Sequence, residues 1–257
     1  MKPRAVCLLR DGPAYRKEAF IEGLRNAGYD IVPNDFRGPS SADVLLIWNR
    51  YGGYDEAATQ WERGGGRVLV VENGYLGKSW RGESWNALAQ SHHCGAGHWA
   101  YGGPERWDNY GVELQPWRTE GSTLILAQRG IGEQGIRSPE GWAESVQAKY
   151  GGRIRLHPGK DKSKVSLADD LEGVGRVLTW HSGAALHCLL MGIPVWYAFD
   201  SWLGGCGATP LSNWPVNLSS DAQRLAMFRN LAWTNWSLDE IRSGQALTNV
   251  LSSHPRV

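Results

Sequence analysis

The chain has 257 residues, with 27 basic against 26 acidic side chains and a formal net charge of +1. That balance excludes a globally basic nucleic-acid binder and an acidic tail, although a local basic groove is still allowed. Hydrophobic residues at 42% with charged residues at 21% exclude a disordered chain. The length suits one or two domains with a core large enough to need no disulfide staple. Two residue types stand out: 14 Trp beside only 4 Phe, and 33 Gly. Most of these Trp are expected to fill core positions. Flat indole walls beside close-approach backbone also suit a sugar or a base. Cys7, Cys94, Cys188 and Cys206 are far apart and form no CxxC pair, which predicts reduced thiols and a cytoplasmic setting. The opening MKPRAVCLLRDG has no signal-peptide apolar region, and no apolar run is long enough to span a membrane.

In chain order, residues 5–9 predict a short buried strand, broken at Gly12-Pro13. Residues 15–26 predict a helix, with Phe20, Ile21 and Leu24 at helical spacing and Gly28 as its stop. Strands are expected at 29–33, at 44–48 (VLLIW) and at 67–72 (RVLVVE), with a helix at 56–63 between the last two. The βαβαβ pattern implies a parallel sheet, and VLLIW reads as a strand covered on both faces. From 76 to 117 periodicity is lost. This Trp-rich stretch holds Trp80, Trp85, Trp99, Trp107, Trp117 and three His, and irregular segments of that length are usually functional or linkers. Alternation restarts with strands at 122–127, 153–156, 176–180 and 195–199. Helices are expected at 139–150, 166–171 and 184–191, and one long helix at 220–243. The domain expectation is therefore 1–117, then 118–219, then a C-terminal segment 220–257.

In parallel sheets ligands bind outside the carboxyl ends of the strands. In the second half three such loops carry chemistry: Arg129 to Gly132, His157 to Lys160, and Trp180 to Ala184. The run strand–His-Ser-Gly-Ala-Ala–helix is an anion-binding pattern. Backbone N–H groups of Ser182, Gly183 and Ala184 would meet negative charge at the helix start, the Ser182 hydroxyl would add a donor, and Gly183 would permit close approach. Arg129 and His157 would supply charge or hydrogen bonds. The plainer alternative makes Ser182 a helix cap and Gly183 a tight turn.

The runs HPGK (157–160) and LTWHSGAALHCLLMGIPVWY (178–197) resemble the donor-binding half of GT-B glycosyltransferases, most of all capsule-type and phage-encoded members. The matching positions are His157, Ser182, Gly183 and Ala184, with Gly192 and Pro194 as structural marks, over roughly 120–200. The resemblance implies two Rossmann-like parallel-sheet domains facing a central cleft, with a C-terminal helix crossing back. It also implies a nucleoside diphosphate sugar donor, UDP-linked by expectation, held by Arg129, Gly132, His157, Ser182, Gly183 and Ala184 without a metal or other cofactor. The segment ENGYLG (72–77) with the Trp-rich loop also resembles small phage proteins associated with DNA-modifying enzymes.

Glycosyl transfer with inversion needs a base for the acceptor hydroxyl. Asp11, Glu72 and His98 are the candidates. Arg50, Tyr51, Trp80, Trp85 and Trp99 are the candidate acceptor contacts. Two acceptors stay open, a 5-hydroxymethylpyrimidine in phage DNA and a polysaccharide or small molecule. For DNA, Arg153, Arg155, Lys160, Lys162 and Lys164 offer local positive charge. His92, His93, Cys94 and His98 carry zinc-type ligands, but adjacent histidines rarely reach one tetrahedral ion, and no metal is expected. Two other classes remain, a sugar-nucleotide epimerase and a non-catalytic nucleotide-sugar or DNA-binding module. An epimerase would crowd carboxylates at the second-half strand ends, and few fall there.

Overall fold

The computed structural model describes residues 2–33, 35–77, 80–93, 96–132, 136–159 and 165–253. In chain order the elements are β1 (Arg4–Cys7), α1 (Lys17–Asn26), β2 (Asp30–Ile31), β3 (Val44–Trp48), α2 (Gly53–Arg63), β4 (Arg67–Asn73), β5 (Trp85–Gln90), α3 (Glu105–Asp108), β6 (Ser122–Leu126), α4 (Trp142–Tyr150), β7 (Arg153–Arg155) and α5 (Leu167–Asp170). They continue with β8 (Val174–Thr179), α6 (Ala184–Leu190), β9 (Val195–Tyr197), β10 (Thr209–Pro210), α7 (Asp221–Ala232), β11 (Asn235–Ser237), α8 (Leu238–Arg242) and α9 (Gln245–Ser252). The chain divides into two compact units. The first comprises Met1–Gly102 with Trp233–Val257, the second Gly103–Ala232. The change at Gly102 lies fifteen residues before the boundary read from the sequence, and the return comes at Trp233.

The first unit is built on a six-stranded sheet of order β11-β5-β4-β3-β1-β2. Strands β1 to β4 run parallel, while β5 is antiparallel to β4 and β11 antiparallel to β5. Alternate residues of VLLIW serve the two faces, as a doubly covered strand requires. Val44 and Leu46 join Phe20, Leu24, Trp236, Ile241 and Leu247 on one side. Leu45 and Ile47 join Ala58 and Trp61 on the other.

The Trp-rich stretch is not wholly irregular. Residues 85–90 (WNALAQ) form β5, and all but its last residue are buried. With both faces covered, the strand shows no polar alternation, which is why the sequence hid it. The long helix expected at 220–243 is corrected as well: it ends at Ala232, and β11 and α8 follow. Ser237 caps α8 and closes a capping box with Glu240, a signal present in the sequence as S-L-D-E.

The second unit holds a five-stranded, fully parallel sheet of order β10-β9-β8-β6-β7. Ile125, Leu178 and Trp196 pack beneath α4, against Ala143 and Val146. Of the fourteen Trp, Trp61, Trp85, Trp107, Trp196, Trp202 and Trp236 are buried, and the remaining eight are partly buried. The excess is mostly packing material, since Trp107 stacks on Phe228 at 4.8 Å and Trp196 meets Trp214 edge-on at 4.8 Å. No helix among the described residues is long and apolar enough to cross a membrane.

Candidate functional site

In the second unit the parallel sheet sends the loops after β6, β7 and β8 off one edge, with β6 between its two neighbours. The three loops singled out in the sequence therefore leave the same edge. Two of them touch. A side-chain carbon added to Gly159 would stand 3.1 Å from Arg129 Cδ and 3.2 Å from His157 Nδ1. The Gly159 N–H donates to His157 Nδ1 at 2.9 Å, which leaves the neutral ring its proton on Nε2. Arg129 is exposed and has no carboxylate partner among the described residues. Gly132 adopts a φ of +119°, a turn that glycine serves without strain.

The third loop corrects the expected row of free amides. Ser182 N–H donates to Thr179 Oγ1 at 2.9 Å, and Ala184 N–H donates to Ser182 Oγ at 3.3 Å. Ala185 and Leu186 already close turns onto Ser182 O and Gly183 O. Of the Ser182, Gly183 and Ala184 amides, only that of Gly183 has no partner among the described residues, and the space beside its Cα is open. Ser182 Oγ accepts from Ala184, so its own proton stays available to donate. The anion donors are thus one amide and one hydroxyl, beside a free guanidinium and an imidazole in the neighbouring loops.

Two residues that position this edge escaped the sequence reading. Gln128 brackets His181: its Oε1 accepts from the His181 N–H at 2.8 Å, and its Nε2 lies 2.9 Å from His181 Nδ1. The amide N can only donate there, so the His181 proton sits on Nε2, which meets Ile136 O at 3.1 Å. Trp180 Nε1 donates to the same carbonyl at 2.8 Å. Two ring donors on one carbonyl fasten the far limb of the Arg129 loop to the end of β8. Position offered the only clue, one residue before Arg129 and one before Ser182.

No family model and no curated protein matches the sequence. Among solved structures the chain is similar to two from Thermosulfurimonas dismutans. KpsC, beta Kdo 2,7 transferase, aligns with a TM-score of 0.54 at 12% identity, over 96% of this chain and 99% of that one. KpsC, beta Kdo 2,4 transferase, aligns with a TM-score of 0.56 at 12% identity, over 93% and 98%. At that identity the likeness is one of fold. It agrees with an α/β chain carrying one mixed and one fully parallel sheet, a GT-B-like fold.

In the first unit the parallel strands present their carboxyl ends at Leu8, Asn49 and Glu72. Glu72 is half-buried and accepts from Tyr75 OH at 2.7 Å. The turn that places Tyr75 is held by buried Asn235, whose Oδ1 accepts from Tyr75 N–H at 2.7 Å. Asp11 is far more open, its side chain 90% exposed and paired with Lys17 at 2.9 Å. His98 belongs elsewhere: it bridges Gln90, which pairs with Leu69. That is three residues, about 10 Å, back along β4 from Glu72. Trp99, next in sequence, is half-buried there too. The structure therefore separates His98 and Trp99 from Glu72.

The acceptor candidates divide similarly. Arg50 is buried and committed to structure. It donates to Asp55 at 2.8 Å, to both Glu62 oxygens and to Ser91 O, while its backbone N–H donates to His93 Nδ1. Tyr51 beside it is 46% exposed. Trp85 is buried in β5, its indole N–H donating to Trp80 O at 2.8 Å, so Trp80 is the more open of that pair. His92 and His93 are buried and stacked at 4.5 Å; burial, then the neighbouring His93, pushes the His92 pKa down to about 4. No metal-binding group of three or more His, Cys, Asp or Glu occurs among the described residues. Cys94, Lys160, Lys162 and Lys164 lie outside the described residues, and Arg153 and Arg155 both pair with Asp170. A basic groove for DNA thus loses two of its five expected cations to an internal ion pair.

Proposed function

We propose that the protein is a glycosyltransferase whose second unit binds a nucleotide-activated sugar. The observation that carries this reading is that three loops leaving one edge of a parallel sheet carry Arg129, with no ion-pair partner among the described residues, His157, and the open Gly183 amide. The fold shared with two Kdo transferases supports it. Negative charge develops on the leaving phosphate during glycosyl transfer, and fixed donors aimed at it stabilise the transition state. Arg129 and the Gly183 N–H supply that stabilisation, His157 and the Ser182 hydroxyl add hydrogen bonds, and the Gln128–His181 clasp keeps the Arg129 loop in place. In the first unit Glu72 takes the acceptor proton. Its half-buried carboxylate is oriented by Tyr75, whereas Asp11 is solvated and bound to Lys17.

A carbohydrate hydroxyl is the acceptor, by analogy with the neighbours; a hydroxymethylated base in phage DNA is the alternative. The test is incubation with labelled nucleotide sugars, UDP-linked hexoses and a nucleotide-activated Kdo included, against glycan acceptors and hydroxymethyl-modified DNA. Label in a glycan supports the reading, and label in DNA selects the alternative. Interconversion of the donor sugar without transfer would make the protein an epimerase, and binding without either reaction would make it a binding module.

A further inference from the structure

We propose that Arg16 is the centre of an anion site in the first unit, taking a carboxylate or phosphate carried by a sugar acceptor. This rests on the glycosyltransferase reading above.

Arg16 is half-buried between β1 and α1, and no carboxylate lies within ion-pair distance of it among the described residues. Its partners among the described residues are both neutral and both fall on one nitrogen: Nη1 donates to Asn86 Oδ1 at 2.8 Å and to Trp85 O at 3.4 Å. The Nε and Nη2 edge has no partner among the described residues, and that edge is the fork that meets two oxygens of a carboxylate or phosphate. Burial opposes its charge, which a bound anion would offset.

Its placement fits a ligand edge. Residues 85 and 86 of β5 lie beside the carboxyl end of β4, where Asn73 pairs with Asn86. Asn86 joins the two halves of the site, accepting from Arg16 and donating to Glu72 O at 3.3 Å. Arg16 itself is held at φ 51°, ψ 33°, a left-handed conformation that a long side chain rarely takes. Asn49 at the end of β3 (φ 52°) and Arg81 in the β4–β5 connection (φ 57°) share it, while a fourth such residue, Ser91 (φ 65°), follows the other end of β5. Backbone strain of this kind concentrates at functional sites. Tyr15, the preceding residue, meets Trp48 edge-on at 5.1 Å, giving partly exposed aromatic surface for a sugar ring. Arg10 is exposed on the same connection, between β1 and α1. Asp11 is held by Lys17, and Glu72 accepts from the Tyr75 hydroxyl.

The test is titration by saturation-transfer NMR, without donor, of glucuronate, glucose 6-phosphate and neutral glucose at constant ionic strength. Saturable binding of at least one acid sugar, with glucose silent, is expected; which acid binds distinguishes carboxylate from phosphate. Arg16→Gln should weaken it by roughly tenfold or more, as loss of a charged hydrogen bond does. Arg16→Lys should recover only part, because an ammonium lacks the fork. Arg10→Gln should weaken it less. If Arg16→Gln does not fold, Arg16→Lys with an unchanged thermal midpoint carries the test. Undiminished acid-sugar binding in a folded Arg16 variant overturns the proposal. So does equal binding of glucose, or saturation by a hydroxymethylated oligonucleotide and by neither acid sugar. Because binding is read without donor, failure of the glycosyltransferase reading would show separately, as intact acid-sugar binding with no transfer.

Discussion

Gly183 offers a substitution that replaces the open amide N–H of the candidate anion loop with the ring carbon of proline. Its φ of −61° is already that of proline, and nothing lies within 4 Å of where its Cβ would be. Gly183→Pro therefore deletes the one unengaged amide of the loop without a clash at Cβ. Proline is tolerated at a helix start, and stiffening the unfolded chain stabilises by about 0.4–1 kcal/mol. The thermal midpoint should accordingly hold or rise slightly. A hydrogen bond to a charged group contributes about 1.5–3 kcal/mol. Its loss should weaken nucleotide binding roughly 10- to 150-fold. Gly183→Ala is the companion: it keeps the N–H but places a methyl in the open space, so it reports on close approach of the phosphate alone. Calorimetric titration with UDP and a panel of nucleotides gives both numbers. A folded Gly183→Pro protein that binds nucleotide as the wild type does would refute the anion role of this amide and the reading of the loop built on it.

Arg129→Ala and His157→Ala should each reduce nucleotide affinity, by about tenfold or more for the guanidinium, with unfolding midpoints unchanged because both groups are solvent-accessible; a midpoint shift without an affinity change would make them structural. The folded protein holds the His92 pKa at about 4, below its ordinary 6.5, so the unfolded chain binds more protons between those values. Stability should be complete above pH 6.5 and fall toward pH 4, by at most ~1.4 kcal/mol per unit, and His92→Gln should flatten that slope in urea titrations. The Asp43 carboxyl, although burial opposes its charge, is held at about 2 by hydrogen bonds from Ser40 and Arg4, and its contribution is lost only below pH 4. Cys188 is buried with its thiol pushed up to about 12 by burial, whereas Cys206 is exposed; iodoacetamide mapping on the folded protein should label Cys206 and spare Cys188. Trp61→Ala, at a fully buried site beneath β3 and β4, should cost about 3–5 kcal/mol of first-unit stability in denaturant titration.

The parallel strands announced themselves because VLLIW and RVLVVE are too short and too apolar for surface helices. The candidate edge of the second sheet was legible because Gly, His and Ser recur in the turns that follow its strands. Strand β5 was hidden by its own burial, and β11 by Trp and Asn that read equally as helix. The candidate site was legible as far as single residues go. Which Ser182-loop amide stays open depends on Thr179 Oγ1 and Ser182 Oγ, contacts three and two residues away that no pattern of residue types fixes. Arg50 and Arg16 are both arginines in turns beside strand ends. Only the structure shows that the first is spent on Asp55 and Glu62 while the second meets neutral partners.

The first unit takes β11, α8 and α9 from beyond the whole of the second unit. During synthesis its sheet must wait, with β5 as a bare edge and Leu46, Leu69 and Leu88 lacking their Trp236, Ile241 and Leu247 neighbours, until the inserted unit has left the ribosome. The second unit, continuous in sequence, has no such delay. A nascent chain stalled after Ala232 would display an unpaired strand edge and an uncovered apolar face, the features that recruit chaperones or seed aggregates. Order of emergence, as well as contact energy, therefore determines how much of this protein reaches its folded form.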